Sequence, residues 1–219
     1  AAFCAAALAA GALVLACCFA QSVVVGPPWD WAAGGDVDKY VLGMLASDGC
    51  ISVDHNNVRV GHNQDIGRQV EMVRRWMGAR SPVGITKVQN PNTGAYHDFE
   101  PDHSIRLYDT PRDRPRLRRV LQLMVKFCPA NSYIAGVALE VLRLKDVEDA
   151  AAAAAGRPKR YAGNQGITEQ LQKIAEWNNR REKDVKGGLR ARHLDFGRLP
   201  TDIAKASWVA GAFAGTTSS

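Results

Sequence analysis

The stretch YVLGMLASDGCI at residues 40–51 decides the fold. It joins an apolar segment to Asp48 and Gly49, a pair that favours a turn, and then to the start of a strand. Gly43 and Ser47 stand four residues apart, so a helix places both on one face. A face of small residues lets a second helix approach backbone to backbone. The stretch therefore predicts a helix that packs closely on a partner and ends in a carboxylate just before a strand.

A degenerate copy of this stretch lies near the C-terminus, where residues 208–218 are WVAGAFAGTTS. Gly211 and Gly215 repeat the four-residue spacing, 168 positions after the first copy. The two small-faced helices are therefore expected to pack on each other. Two carboxylates at their ends would repel unless divalent cations bridged them, which is an arrangement suited to metal-assisted phosphodiester cleavage. The second copy, however, has Thr216 at the position of Asp48.

Between the two copies, the hydrophobic pattern changes period several times. Alternating apolar residues and turn residues predict two strand pairs, and apolar residues at helical spacing predict the helices around them. This order predicts an α+β fold in which helices cover one face of an antiparallel sheet. The predicted elements are helices at 40–47, 64–77, 115–127, 132–148, 168–181 and from 201, with strands at 50–53, 58–60, 83–88 and 104–108.

The combination of motif and element order resembles the LAGLIDADG homing endonuclease family. The matching segment is VLGMLASDG at residues 41–49. The similarity covers about residues 38–182 as one αββαββα repeat, and a second repeat starts within 202–219. The resemblance implies a saddle-shaped antiparallel sheet on duplex DNA, with strand side chains in the major groove. It also implies Mg²⁺ as cofactor, held by the last acid of the motif, which is Asp48 here.

The resemblance assigns two further catalytic positions, and the chain departs from the family at one of them. His62 corresponds to a polar residue that supports water positioning at the end of the second strand, although a surface histidine at a strand end is the commoner interpretation. A family lysine near the active site aligns with Cys128, which more often is a small buried hydrophobe. Lys126 is the candidate substitute. The predicted catalytic residues are thus Asp48, Lys126 and His62, with Asp48 as the metal ligand.

The charge balance is moderately basic, with 28 Lys and Arg against 22 Asp and Glu and a formal net charge of +6. Such an excess permits an anionic partner without requiring one. The arginines between residues 106 and 119 form either a solvated helix face or a set of phosphate contacts. The candidate DNA-binding residues are Ser52, Arg59, Lys87, Arg106, Arg112, Arg114 and Arg118.

The N-terminal segment differs from the rest of the chain, since residues 1–29 carry no charge and the first 20 are apolar. A targeting peptide, a weak anchor and a non-native upstream translation all fit it, and only a targeting peptide would indicate a plastid or mitochondrion. Membrane association is the least favoured. The predicted organisation is an apolar leader at 1–35, a LAGLIDADG-like domain at 36–149, an Ala-rich and basic linker with one helix at 150–200, and the first helix of a second repeat at 201–219.

Composition excludes several other classes and leaves two main functions. With 46% hydrophobic and 23% charged residues the chain is not wholly disordered, and its five cysteines lack zinc-like spacing. The first function is Mg²⁺-dependent double-strand DNA cleavage in intron or intein mobility. The second is a non-cleaving nucleic-acid binder, such as an intron-splicing maturase that binds intron RNA, or a degenerate mobile-element remnant; Thr216 and Cys128 favour it. A homodimer through the motif helix would bring two copies of Asp48 together.

Overall fold

The computed structural model describes residues 36–64, 66–86, 102–183 and 194–216. The apolar leader and Lys87 lie outside these residues. The described part has the α+β class that the sequence predicts. Its helices are α1 (Val37–Ser47), α2 (Gly67–Met77), α3 (Arg114–Phe127), α4 (Ser132–Ala154), α5 (Gln165–Lys183) and α6 (Asp202–Thr216), and its strands are β1 (Gly49–Asp54), β2 (Asn57–Gln64), β3 (Gly84–Thr86) and β4 (Asp102–Tyr108).

The four strands form one antiparallel sheet in the order β1-β2-β4-β3. Alternate residues of β2 lie on opposite faces, and Val58 and Val60 are fully buried on the face that the helices cover. Arg59 and Asn63 lie on the other face, where Asn63 of β2 and Arg106 of β4 are exposed. The sheet therefore presents one closed face and one open face.

The core lies between the closed face of the sheet and the helices. Val41, Leu42 and Leu45 of α1 are almost completely buried, because this helix is apolar nearly all round. Helices α2, α3 and α4 each contribute an apolar stripe to the same core, for example Val73, Leu121 and Val141. Helix α4 also includes most of the alanine run, since Ala has the highest intrinsic helix propensity.

Helix α5 covers the outer edge of the sheet. The Asn178 side-chain amide donates a hydrogen bond of 2.9 Å to the backbone carbonyl of Ile51 in the edge strand β1. The Trp177 ring contacts Tyr133 of α4, with 5.7 Å between ring centroids. An edge strand presents unpaired backbone groups, and α5 satisfies one of them. None of the helices in the described ranges is both long and apolar enough to span a membrane.

Candidate functional site

Helices α1 and α6 pack backbone against backbone. A Cβ atom added at Gly43 would lie 2.1 Å from the carbonyl oxygen of Trp208, and one added at Gly211 would lie 1.9 Å from that of Tyr40. Neither position can hold a larger side chain without moving the helices apart. The predicted close packing of two small-faced helices is confirmed at Gly43 and Gly211. The Ser47 hydroxyl donates a hydrogen bond of 3.0 Å to the backbone carbonyl of Met44. The close packing predicted for Ser47 and Gly215 stays a prediction.

The two helices run parallel. At the start of α1, the backbone N–H of Asp36 donates to the Ser207 hydroxyl at 3.1 Å, and further along α1, Gly43 lies against Ala212. The contacts therefore advance toward the C-terminus along both helices. As a result α1 and α6 end at the same side of the molecule, as the repeated motif predicts.

Asp48 occupies the C-terminal cap of α1 and is half-buried. Gly49 follows it directly as the first residue of β1, and a Cβ there would lie 2.3 Å from the carbonyl oxygen of Leu45. Gly49 pairs with His62 in β2. Two residues after His62 in β2, the Gln64 side-chain amide donates a hydrogen bond of 2.5 Å to the backbone carbonyl of Ala214 in the last turn of α6. We call the group of Asp48, His62, Gln64 and the C-terminal turns of α1 and α6 the paired-helix end.

The electrostatics of the paired-helix end favour a cation. The carbonyl groups at the C-terminus of a helix carry a partial negative charge, and two parallel helices bring two such ends together. Neither α1 nor α6 has a basic residue in its last turn. A carboxylate at a helix C-terminus is disfavoured by the helix dipole, and a bound cation would offset this effect at Asp48.

His62 is buried on the closed face of the sheet, with 1% of its surface exposed. Neither ring nitrogen has a hydrogen-bond partner among the described residues. Burial lowers the pKa of His62 to about 4, outweighing the neighbouring Gln64 side chain, which raises it. The ring is therefore neutral at pH 7. The interpretation of His62 as a surface histidine is wrong, because strand alternation directs it toward the core.

The structure does not bring Lys126 to Asp48. The ammonium group of Lys126 lies 4.9 Å from the ring centroid of Phe127, and that of Lys39 lies 3.9 Å from the same centroid. Lys39 belongs to the first turn of α1, whereas Asp48 caps the last, so Lys126 lies toward the opposite end of this helix. Cys128 is fully buried, as its interpretation as a small hydrophobe predicts.

A residue that the sequence analysis missed lies beside the last turn of α1. Asn131 is 3% exposed, and its side-chain amide lies 3.5 Å from the backbone carbonyl of Leu45. It is the N-cap residue of α4, although its side chain makes no capping hydrogen bond there. An asparagine at a predicted helix start was the available signal. Its position beside Leu45 depends on tertiary packing, which the sequence pattern does not contain.

Three of the predicted DNA-binding residues lie together on the open face of the sheet. Cross-strand pairing joins Ser52 to Arg59 and Gly61 to Arg106. The Arg59 guanidinium donates a hydrogen bond of 2.7 Å to the Ser52 hydroxyl and forms an ion pair of 3.5 Å with Asp54. The open face therefore carries two arginines and several small or polar side chains, which is a composition suited to an anionic, hydrogen-bonding partner.

Arg114 is a correction to the predicted DNA contacts. It is 7% exposed, and its guanidinium pairs with Asp109 at 2.6 Å, with Asp146 at 3.1 Å and with Asp149 at 3.0 Å. Burial lowers the pKa of Arg114, but its hydrogen bonds to Tyr161, Asp109 and Asp146 outweigh burial and hold the pKa above the usual range. A buried guanidinium that already pairs with three carboxylates is not available to a phosphate. The prediction that Arg114 binds DNA is therefore wrong.

The neighbouring arginines differ from one another. The Arg118 guanidinium pairs with Asp146, so it belongs to the same internal network. Arg112 is exposed at the start of α3, where its backbone carbonyl accepts from Arg116. Of the predicted arginines outside the sheet, Arg112 is thus the one whose position suits a phosphate contact.

The same network contains a buried lysine that the sequence analysis did not single out. Lys145 of α4 is fully buried, and its ammonium donates hydrogen bonds of 2.7 Å to the Asp109 carboxylate and 3.1 Å to the Asn57 side-chain oxygen. It also lies 4.7 Å from the ring centroid of Tyr161. The sequence signal for this residue was a lysine within the apolar stripe of α4, after Val141. Because the ammonium charge of Lys145 is fully paired, its role is structural.

The packing of α1 bears on the homodimer through the motif helix, which stays a prediction. The small-residue face of α1 that a homodimer would use is covered by α6 of the same chain. A dimer formed through this face would have to displace α6 from a contact in which backbone atoms touch. Thr216, not a second Asp48, therefore ends the helix that accompanies α1.

The described residues include no cluster of three or more histidine, cysteine, aspartate and glutamate side chains suited to a metal ion. A Mg²⁺ site does not require one, because Mg²⁺ usually retains several waters and takes one or two protein carboxylates together with substrate phosphates. Asp48 and the surrounding helix carbonyls fit such a site. Comparison of the chain with protein-family models and with curated proteins finds no match.

Proposed function

We propose that this chain is a DNA-binding protein of the LAGLIDADG type, with Mg²⁺-dependent cleavage of duplex DNA centred on Asp48. The observation that carries the proposal is the parallel, backbone-to-backbone pair of α1 and α6, which places Asp48 at the end of the sheet.

The open face of the sheet supports duplex DNA as the partner. The major groove of DNA admits a β-ribbon, and strands that enter it place alternate side chains against the bases. Ser52, Arg59 and Arg106 lie on this face, and all are donors to base or phosphate oxygens. The closed face is filled by core residues, so the partner has one side of the sheet to approach.

Asp48 would hold Mg²⁺ together with a DNA phosphate. Bound there, the ion would supply positive charge that stabilises the negative charge developing on the phosphate during hydrolysis. The residues of the chain supply position: Gln64 ties the last turn of α6 to β2, and Gly49 allows β1 to begin directly under α1. These contacts fix where the Asp48 carboxylate lies relative to the sheet.

A second candidate function is a nucleic-acid binder that does not cleave, such as an intron-splicing maturase or a degenerate mobile-element remnant. Thr216 ends α6 where a second acid would stand, and Lys126 lies toward the other end of α1. Such a protein needs the open face of the sheet but not Asp48. Because Thr216 replaces the second acid, we expect any cleavage to be slower than in a protein with two acids.

Cleavage of a randomised duplex library tests the proposal. The full chain, Asp48→Asn and Asp202→Asn are incubated with the library in Mg²⁺, and bound and cut species are both sequenced. Asp202 is a matched control, because its side chain is 98% exposed at the opposite end of α6. We expect site-specific cutting by the wild type and by Asp202→Asn, and none by Asp48→Asn.

The remaining outcomes separate the two candidates. Salt-sensitive duplex binding without cutting by any of the three proteins would favour the non-cleaving binder. Binding to RNA alone would favour the maturase, and no binding to either nucleic acid would overturn both. As a second measurement, Mg²⁺ with a bound duplex should raise the Tm of the wild type more than that of Asp48→Asn, since a ligand that binds the native state stabilises it.

A further inference from the structure

The two arginines on the open face differ in how many of their donors are already used. The Nε group of Arg59 donates to Ser52, and one terminal nitrogen of its guanidinium pairs with Asp54. Arg106 is exposed, and within the described part of the chain its side chain makes no hydrogen bond or ion pair. Both edges of the Arg106 guanidinium are therefore free to form a two-pronged contact.

Gly61 provides a seat for the stem of Arg106. The two residues face each other across β2 and β4. A Cβ atom added at Gly61 would lie 3.6 Å from Cγ of Arg106 and 3.4 Å from Sγ of Cys50. The stem of Arg106 thus leans over the glycine, and a branched side chain at position 61 would push it aside without changing the charge of the face.

We infer that Arg106 determines the sequence specificity of this face by reading a guanine in the major groove, with Gly61 as its positioning residue. This inference rests on the proposed function. Guanine presents O6 and N7 as a pair of acceptors, and an arginine with a free fork donates to both at once. Lysine carries the same charge but offers no planar fork, so it does not replace arginine in such a contact. Arg59, held by Ser52 and Asp54, has fewer donors left for a base.

Duplex selection with matched variants tests this assignment. The full-length wild type, Arg106→Lys, Gly61→Val and Arg75→Lys are each used to select from randomised duplexes, and the affinity for the best site is compared with that for sites carrying single base changes. Arg75 is the control, because it is an exposed arginine of α2, outside the sheet. Val is favoured in strands, and melting followed by circular dichroism verifies that Gly61→Val is folded.

We expect the wild type to prefer guanine at one position by about 5- to 150-fold over other bases, the range of a good bidentate contact. Arg106→Lys and Gly61→Val should both lose this preference, while their affinity for average duplex stays within about threefold because the net charge is unchanged. Arg75→Lys should keep the preference for guanine.

Two different failures can be distinguished. If the wild type selects a defined duplex site but Arg106→Lys retains the same guanine preference, the role of Arg106 is overturned and the proposed function stands. If Arg106→Lys loses the preference and a folded Gly61→Val keeps it, the seat at Gly61 is overturned. If the wild type selects no duplex at all, or binds only RNA, the proposed function fails and this inference fails with it.

Discussion

His62 shows at the residue scale how burial changes a side chain's chemistry. An exposed histidine titrates near pH 6.5, whereas the pKa of His62 is lowered to about 4 by its burial. Between these values the unfolded chain binds a proton that the native protein does not. Lowering the pH through this window therefore favours unfolding, and the stability present above pH 6.5 is lost progressively down to pH 4.

We predict that His62→Leu removes this part of the pH dependence. The wild type should lose up to about 3 kcal/mol of unfolding free energy between pH 6.5 and pH 4 through His62 alone, and the variant should lack that loss. Urea unfolding at a series of pH values measures it. His55→Gln is the control, since His55 has a 93% exposed side chain. Equal pH slopes for wild type and His62→Leu would contradict the prediction.

Lys145 is the other residue whose role follows from burial. Its ammonium and the Asp109 carboxylate are both fully buried and lie 2.7 Å apart. Breaking a buried ion pair on one side leaves an uncompensated charge, so Lys145→Met should lower the free energy of unfolding by about 3 kcal/mol or more. Asp109 still pairs with Arg114 in this variant, so we expect the loss of unfolding free energy to lie near about 3 kcal/mol rather than well above it.

A second substitution separates loss of the pair from loss of packing. Adding Asp109→Asn to Lys145→Met also removes the Asp109 partner of Arg114. The double variant should therefore be less stable than Lys145→Met, but by less than the cost of Asp109→Asn alone, as measured by chemical denaturation. A double variant less stable than Lys145→Met by the full cost of Asp109→Asn alone would show that the two side chains are not coupled.

At the scale of elements, the α1–α6 pair is the feature most sensitive to small changes. A Cβ at Gly43 would overlap backbone atoms of Trp208 and Ala212, at 2.1 and 2.7 Å, and a backbone cannot rotate away as a side chain can. We predict that Gly43→Ala lowers the free energy of unfolding by about 3 kcal/mol or more.

Gly136 in α4 is the matched control for this prediction. The nearest side-chain atom to a Cβ at Gly136 is in Val125, at 4.0 Å, which is an ordinary contact. Gly136→Ala should therefore raise stability by about 0.5–1 kcal/mol, because Ala is the better helix former. Thermal unfolding of both variants decides the matter, and similar effects of the two substitutions would show that the close approach at Gly43 is not required.

For the molecule as a whole, local patterns predicted most elements. The 3.6-residue period of the helices and the alternation of the strands were sufficient for the α+β class, and the repeated glycines were sufficient for the α1–α6 contact. Strand bounds were less accurate, since β2 extends to Gln64 whereas the predicted strand ends at Val60. The helix bounds of α6 agree with the prediction, because Asp202 and the apolar run mark them locally.

The candidate site was predictable where it depends on chain neighbours and not where it depends on tertiary packing. Asp48 follows from the motif, and the shared face of Ser52 and Arg59 follows from strand register. Arg114 appeared as a phosphate contact because its partners Asp146 and Asp149 lie more than 30 positions away in the sequence. Lys126 and Lys39 both lie near the Phe127 ring, and this arrangement also depends on tertiary packing.

The pairing of α1 with α6 also has a consequence for folding kinetics. The hydrogen bond between Asp36 and Ser207 joins residues 171 positions apart, so this contact closes a loop that includes almost the whole described chain. Loop closure of that length is entropically unfavourable and slows folding, and the chain must be synthesised as far as Ser207 before this contact can form. We expect the glycine face of α1 to stay uncovered during synthesis until α6 emerges. Docking of α6 on α1 is therefore expected to be a late step in folding.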